Sequence, residues 1–513
     1  MFLSTKGRYA VMSMIEVASL GLDAPVQLSK ISESQGIGIA YLEKIFSNLK
    51  RANIVSSFKG PGGGYSFTNR DITVLDIIRA AGEKIEMTRC RGAGCMPGGI
   101  VCKAHKIWEG IENNIISYLS SLRISEIAGL KDHAELFDPL GYKGIIQDKV
   151  IYFDNNATTA PLSEVAATMV EILPNALNPS SVHMVGKGAK KILERARANI
   201  LKKLNAGDDY KLIFTSSGTE ANNMAISSFD RCFTSSIEHS SVLNNPKAIS
   251  CIPVLKNGQI DLSKLEEAVS KIGDKNTIVS VMMANNETGV LQPIHEVLNI
   301  CSAYGVYLHT DAIQCMGRIK IDLSETQVDM ISISAHKFGG PTGVGALIYK
   351  KSIEPSQIMF GGNQEYNLRP GTYNIVAIRG FEAAVEELQR SISLYAKTSE
   401  LRDYIENKIL SISKGNAIIF GKDSPRLPNT SSIGMVVASA QAQLIHFDMD
   451  GIMLSAGSAC SSGAMRTPYV QAAMGYEEKI ANSAIRISLS PANTIKEADR
   501  FICAWETMYS RFY

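Results

Sequence analysis

Apolar residues recur at helical spacing in the first part of the chain and in short strand-like runs after Val150. Leu42, Ile45, Phe46 and Leu49 stand at i, i+3, i+4 and i+7, one apolar stripe along a helix. Lys44, Ser47 and Arg51 fall opposite, with Tyr41 and Asn48 on the flank. Residues 6–20 predict another amphipathic helix through Tyr9, Met12, Ile15, Val17 and Leu20, and Leu28 opens a short one that stops at Gln35-Gly36. Ile54–Phe58 and Tyr65–Phe67 read as strands of a hairpin around Lys59-Gly-Pro-Gly-Gly-Gly64. Two short helices, a tight turn, a polar-faced third helix and a glycine-tipped hairpin predict a winged helix-turn-helix whose last helix enters a major groove. A purely structural three-helix bundle is the alternative. The triple glycine could instead cradle a phosphate, but it lacks the strand-then-helix context. Trp108–Leu122 gives one more amphipathic helix, and residues 131–149 read as a linker.

From Val150 strands and helices alternate, the pattern of a three-layer α/β fold. Val150–Phe153, Leu212–Thr215, Val279–Ala284 and Val306–Asp311 are the clearest strand candidates. Ile331-Ser-Ile-Ser334 joins them, its alternation predicting a half-buried strand.

At 513 residues the chain is long enough for two to four domains. No apolar run approaches the roughly 18–20 residues of a membrane span, and no signal core follows Lys6, Gly7 and Arg8. A cytoplasmic enzyme is the expectation. Residues 1–125 hold 15 Lys and Arg against 10 Asp and Glu, whereas the remainder holds 37 against 40. A modestly basic N-terminal module is compatible with nucleic acid. Nine cysteines do not make a disulfide scaffold in so long a chain. Three of them, Cys90, Cys95 and Cys102, crowd together with His105 in a glycine-rich stretch. Three thiolates and an imidazole can hold two tetrahedral irons or one zinc, and spacing alone does not choose.

The second half carries a different chemistry. Lys337 follows the Ile331–Ser334 strand into a turn opened by Gly339 and Gly340, and Asp311 ends another apolar strand. A Schiff-base amine and a carboxylate for a pyridinium nitrogen are the two parts that pyridoxal phosphate chemistry needs from a protein. Ser216-Ser-Gly-Thr-Glu220 opens a helix, where backbone amides and the Thr219 hydroxyl make a phosphate seat. Cys460, set among Gly457, Ser458, Ser461 and Gly463, is the best nucleophile candidate because small neighbours favour exposure.

Two resemblances organise these features. Ser4–Val11, Ile31–Gly36, Tyr41–Ser47 and Gly60–Tyr65 resemble the winged-helix iron–sulfur regulators of the IscR type, over residues 1 to about 130. That resemblance implies a double-stranded DNA operator as partner, with Tyr41, Glu43, Lys44 and Lys59 facing it. Lys44 and Lys59 depart from the usual Gln and Arg there, so base readout is expected to differ. It also favours a 2Fe–2S cluster on Cys90, Cys95, Cys102 and His105. A cluster-binding or tethering module without operator recognition is the alternative.

Asp154–Thr159, Thr215–Glu220, Glu238-His239, Asn285–Gly289, His309–Gln314, Ser334–Lys337, Arg369–Thr372 and Gly457–Cys460 resemble the NifS/IscS class of cysteine desulfurases, from Val150 to about Leu489. The implied fold is that of type I (class V aminotransferase-like) pyridoxal-phosphate transferases. It is a homodimer with a large domain at about 165–375 and a smaller α+β domain from 150–164 and 376–513. The resemblance implies that L-cysteine becomes L-alanine with a persulfide on Cys460, the sulfur passing to an iron–sulfur scaffold or another acceptor. By it, Lys337 holds the cofactor, Asp311 its ring nitrogen, and His239 stacks on the ring and handles the substrate thiol proton. Asn286 and Gln314 contact ring substituents, with Asn286 also near the substrate. Gly218, Thr219, Ser334 and His336 hold the phosphate, with Thr372 coming from the other subunit, and Arg486 clamps the substrate carboxylate. A selenocysteine lyase or another class V enzyme would share Lys337 and Asp311. The sequence ends at Tyr513, soon after Arg486 and short of the tail by which IscS-type enzymes contact their scaffold. Docking to the scaffold is thereby put in doubt, although the Cys460 loop could still reach an acceptor. The expected whole is a fusion of sensor and enzyme.

Overall fold

The computed structural model describes residues 5–20, 25–60, 63–69, 71–83, 105–128, 150–272, 276–457 and 468–512. The chain divides into two compact units, Met1–Lys149 and Val150–Tyr513.

In the first unit, helices α1 (Thr5–Leu20), α2 (Leu28–Gln35) and α3 (Ile39–Arg51) precede a hairpin of β1 (Val55–Phe58) and β2 (Gly64–Phe67). The stripe expected on α3 is its buried face: Leu42, Ile45, Phe46 and Leu49 are each at most 1% exposed. They share a core with Ala10, Met14 and Val17 of α1 and Ile31 of α2. Gly36 ends α2 with φ +63°, a left-handed turn that glycine adopts without strain, and so sets the angle between α2 and α3. Val26 exchanges both backbone hydrogen bonds with Tyr65, fixing the hairpin against the chain entering α2. Lys50 Nζ, near the end of α3, donates to Ser57 Oγ of β1 at 2.5 Å. Helices α4 (Val74–Ala80), α5 (His105–Ser121) and α6 (Ile124–Ala128) follow among the described residues. Thr73 and Asp76 cap α4 reciprocally, which satisfies two backbone donors at its start.

The second unit is built on a seven-stranded sheet. Its strands are β4 (Tyr210–Thr215), β5 (Arg231–Ser235), β6 (Ala248–Ile252), β7 (Thr277–Ser280), β8 (Tyr307–Asp311), β9 (Met330–Ser334) and β10 (Gly345–Lys350). The order is β4-β10-β9-β8-β7-β5-β6, with β10 antiparallel to both neighbours and the other pairs parallel. Apolar clusters cover both faces, as parallel strands require.

The half-buried strand expected at Ile331–Ser334 is instead wholly buried, every residue of β9 included. The serines belong to a polar seam inside the sheet: His309 Nε2 meets Ser332 Oγ at 2.9 Å and its Nδ1 meets Ser280 Oγ at 2.8 Å. Burial pushes His309 down to about 3, so the ring is a neutral cross-brace between three strands.

A smaller antiparallel sheet holds β11 (Ala417–Ile419), β12 (Thr430–Met435) and β14 (Ala484–Ser488), while β3 (Ile151–Tyr152) pairs in parallel with β13 (Ile452–Met453). Ile151 and Phe153 pack into the same core as Phe447, Phe501 and Trp505, so the start of this unit folds with its end. The boundary expected at 375/376 falls inside helix Ile375–Glu386. Ile378, Phe381 and Val385 of that helix belong to the core of the large sheet, so the helix goes with the large domain. Among the described residues no helix is long and apolar enough to cross a membrane.

Candidate active site

The strands that run in one direction deliver their C-terminal ends to a common edge, where open α/β sheets bind ligands. There β8 ends in Asp311, β9 turns through Ala335–Lys337, β4 leads into helix Gly218–Ser227, and β5 is followed by Glu238 and His239. Between them lies a cavity of about 190 Å³. Its lining includes Gly218, Thr219, His239, Asn286, Asp311, Gln314, Ser334, His336, Lys337 and Arg486. Of the expected site residues on the second unit, two stand apart. Thr372 is exposed and is not part of this lining. Cys460 lies outside the described residues.

Lys337 Nζ donates to the carbonyl oxygens of Asn156 at 2.6 Å and Ala157 at 2.8 Å. Asp311 is 6% exposed; its Oδ1 accepts from the Ile313 N–H at 2.9 Å and its Oδ2 from Asn222 Nδ2 at 2.7 Å. Burial pushes this carboxyl up from its usual range, while the two donors hold the charged form. A protonated ring nitrogen brought beside this carboxylate would add a further counter-charge.

The same Asn222 amide donates to Ser241 Oγ at 2.9 Å, and Ser241 Oγ meets His239 Nδ1 at 2.7 Å. His239 Nδ1 also accepts the Ser241 backbone N–H, so in the neutral ring Nε2 carries the proton. Asp311 and His239 are thus oriented by one hydrogen-bonded chain. His336 sits beside Thr158, Nδ1 to Oγ1 3.2 Å, and burial with Lys337 nearby pushes it down to about 4.

Helix Gly218–Ser227 begins at Ser217, whose side chain caps the Glu220 N–H. A Cβ at Gly218 would come within 2.1 Å of Ile313 Cδ1, so a larger residue there would have to push the Ile313 side chain aside where the helix start meets the Asp311 turn. Arg369 holds Glu220 in a two-pronged pair, with contacts of 2.7 and 3.2 Å.

Arg486 is 2% exposed and already engaged: Nη2 lies 2.6 Å from Asp154 Oδ1 and Nη1 donates to the Asn286 carbonyl at 3.0 Å. An incoming carboxylate would share this guanidinium with Asp154. Asp154 and Asn156 lie within the Asp154–Thr159 motif and Asn222 just beyond Thr215–Glu220, and the sequence assigns none of them a role. Their signal was position: Asn222 lies one helical turn beyond Thr219, on the same face.

The residues present fit pyridoxal phosphate. Ser334 and Asn286 line the cavity, and their Oγ and Oδ1 are buried without a hydrogen-bond partner among the described residues, a state that costs roughly 1–3 kcal/mol per group unless a ligand satisfies it. A lysine amine, a buried carboxylate and a helix N-terminus complete the donor set.

Glu238 lies beneath the site. It is fully buried, and its Oε1 accepts from Ser235 Oγ at 2.5 Å and from the Met282 N–H at 2.9 Å. Burial pushes its carboxyl up to about 8. An unfolded glutamate releases its proton near 4.5, so between about 4.5 and about 8 the folded state binds more protons and stability falls as pH rises. Glu238→Gln removes that slope. Unfolding curves of the two proteins across this range are expected to converge at the acid end and separate towards pH 8, with the glutamine variant more stable there by a few kcal/mol at most. Parallel curves would contradict the buried proton.

On the first unit, Tyr41, Glu43 and Lys44 are exposed on α3 and Lys59 is exposed just past β1. Tyr41 packs edge-on against Tyr9 with ring centres 5.8 Å apart. Cys90, Cys95, Cys102 and the His105 side chain lie outside the described residues.

Residues 151–501 match the family model for class-V aminotransferases, and residues 3–129 match that for Rrf2 iron-dependent transcriptional regulators. The cysteine desulfurase IscS of Dictyoglomus turgidum is 36% identical over 361 residues, 66% of this chain and 89% of the relative. The cysteine desulfurase NifS of Azotobacter vinelandii is 35% identical over 69% of this chain and 90% of its own. A crystallised NifS-like protein from Rickettsia africae superposes with a TM-score of 0.66 at 38% identity, covering 70% of this chain and 99% of that one. The chain therefore belongs to the class-V aminotransferase family and, within it, to the cysteine desulfurases, with an N-terminal domain of the Rrf2 regulator family joined to the enzyme.

Proposed function

We propose that this protein uses pyridoxal phosphate to convert L-cysteine to L-alanine, collects the sulfur as a persulfide on Cys460 for iron–sulfur cluster assembly, and reads cluster status through a DNA-binding first unit. The convergence of Lys337 and Asp311 on one cavity carries the enzymatic part.

When bound, the cofactor supplies an electron sink conjugated to the substrate Cα. The protein supplies the rest. Lys337 Nζ holds the cofactor and moves the Cα proton. The Asp311 carboxylate keeps the ring nitrogen protonated, and the His239 imidazole handles the proton of the substrate thiol. Arg486 binds the substrate carboxylate, displacing part of the Asp154 contact. Gln314 donates to the phenolic oxygen of the cofactor, and Gly218, Thr219, Ser334 and His336 hold its phosphate. Cys460 Sγ attacks the substrate sulfur: an S–S bond forms as the Cβ–Sγ bond breaks, and protonation at carbon leaves L-alanine. The exposure of Thr372 suits a contribution to a second copy in a homodimer.

Equal amounts of alanine and of reducible sulfur released from L-cysteine test the reading. Alanine formed from selenocysteine alone would favour the lyase.

For the first unit, exposure of Tyr41, Glu43 and Lys44 on one helix, beside a hairpin flanked by Lys59, supports DNA contact. A 2Fe–2S cluster on Cys90, Cys95, Cys102 and His105 would make that contact depend on cluster state. Binding to a palindromic fragment from the protein's own promoter is expected to be at least about a thousandfold tighter than to random duplex, and steep in salt. Equal binding to both would reduce the unit to a cluster-binding or tethering module. Iron–sulfur absorption bands in anaerobically purified protein test the cluster itself.

A further inference from the structure

Arg318 is 1% exposed, and among the described residues none of its hydrogen-bond partners is a carboxylate. Arginine cannot shed its proton to escape burial, so a guanidinium placed there is costly unless its donors are used. Both terminal nitrogens are used on the site itself, while Nε has no hydrogen-bond partner among the described residues. Nη2 donates to the carbonyls of Asn155 at 3.0 Å and Lys337 at 3.3 Å, and Nη1 donates to the Gln314 carbonyl at 2.9 Å. Nη1 also donates to the Gln314 side-chain oxygen, Oε1. The ring of Tyr395 lies 5.8 Å from the guanidinium carbon. Gly317 lets this turn sit against the lysine turn: its φ is +71°, and a Cβ there would come within 2.9 Å of Phe338 Cβ.

The two ends of the Gln314 amide therefore face partners of opposite kind. Arg318 can only donate, so the atom it meets is Oε1. The Asn156 carbonyl can only accept, and it lies 3.1 Å from Nε2. That carbonyl also receives Lys337 Nζ. With Oε1 turned back into the protein, the amide group left at the cavity is a donor.

We propose that Arg318 is a positioning residue: it fixes the Gln314 carboxamide with its N–H group towards the cofactor's phenolic oxygen, and ties the Lys337 turn to the Asn155–Ala157 segment. This rests on the reading above, in which Gln314 meets that oxygen. Free rotation of the carboxamide would present Oε1 to an anionic oxygen part of the time and lose the contact.

The test compares affinities of the cofactor-free protein for pyridoxal phosphate and for its 3-deoxy analogue, which lacks the phenolic oxygen. Arg318→Met is expected to weaken pyridoxal phosphate binding about tenfold and analogue binding little. Gln314→Ala is expected to do the same, and the double variant to be no weaker than either. Arg318→Lys keeps the charge without the fork, so it should fold and show the same selectivity with a smaller loss, about threefold. If Arg318→Met does not fold, the lysine variant decides alone. Equal loss for both cofactors, no loss for either, or additive losses in the double variant would overturn the inference. Full affinity in Gln314→Ala would instead overturn the reading of Gln314 as a cofactor contact.

Discussion

Lys337→Ala is expected to reduce alanine formation from L-cysteine by at least about a thousandfold and to leave a chain that loses its visible absorbance on dialysis. Both consequences follow from one amine. Nζ is held just past the end of β9 by the carbonyls of Asn156 and Ala157, on the wall of the cavity. Its removal takes away the covalent hold on the cofactor and the base for the Cα proton together. The contacts proposed for the cofactor with Asp311, Ser334 and the helix starting at Gly218 would persist, so weak reversible binding is expected to remain. Alanine assay and spectra before and after dialysis check both halves. A variant retaining a tenth of the activity would place the essential amine elsewhere.

Cys460→Ala is expected to stop sulfur transfer just as completely while leaving cofactor and L-cysteine binding intact. Among the described cysteines, Cys232, Cys301 and Cys315 are buried, and burial pushes each thiol up, Cys301 to about 12. A thiol that resists ionisation and is sealed from solvent is a poor nucleophile. Cys251 and Cys503 are exposed but are not part of the cavity lining. Alanine at those two positions is expected to leave turnover unchanged. Persulfide formation should vanish in Cys460→Ala alone, while the spectral change on adding L-cysteine survives. Persistent sulfide release from that variant would remove Cys460 from the reaction.

The parts of the molecule legible in the sequence were those set by local pattern. The α3 stripe is visible because a helix buries one face, and Leu42, Ile45, Phe46 and Leu49 are that face. Lys337, Asp311 and Thr219 stand out because strand ends and helix starts punctuate the sequence. What stayed hidden depends on partners far along the chain. Arg318 reads as a surface charge in Gly317-Arg-Ile-Lys320, and only the Asn155 carbonyl, 163 residues earlier, makes it a buried tie. Asp154 meets Arg486 across 332 residues. The serines of β9 look like a solvent face until His309 is seen to pair with Ser332 inside the sheet. Helix Ile375–Glu386 was cut by the expected domain boundary because its stripe cannot say which of two cores it joins.

Peptide mapping after a single equivalent of L-cysteine, with free and persulfide thiols alkylated before digestion, bears most directly on the sulfur route. One additional sulfur atom on the peptide containing Cys460, matched by one alanine released, is the predicted result. Alanine accumulating with the added sulfur on a different cysteine, or on none, would contradict it.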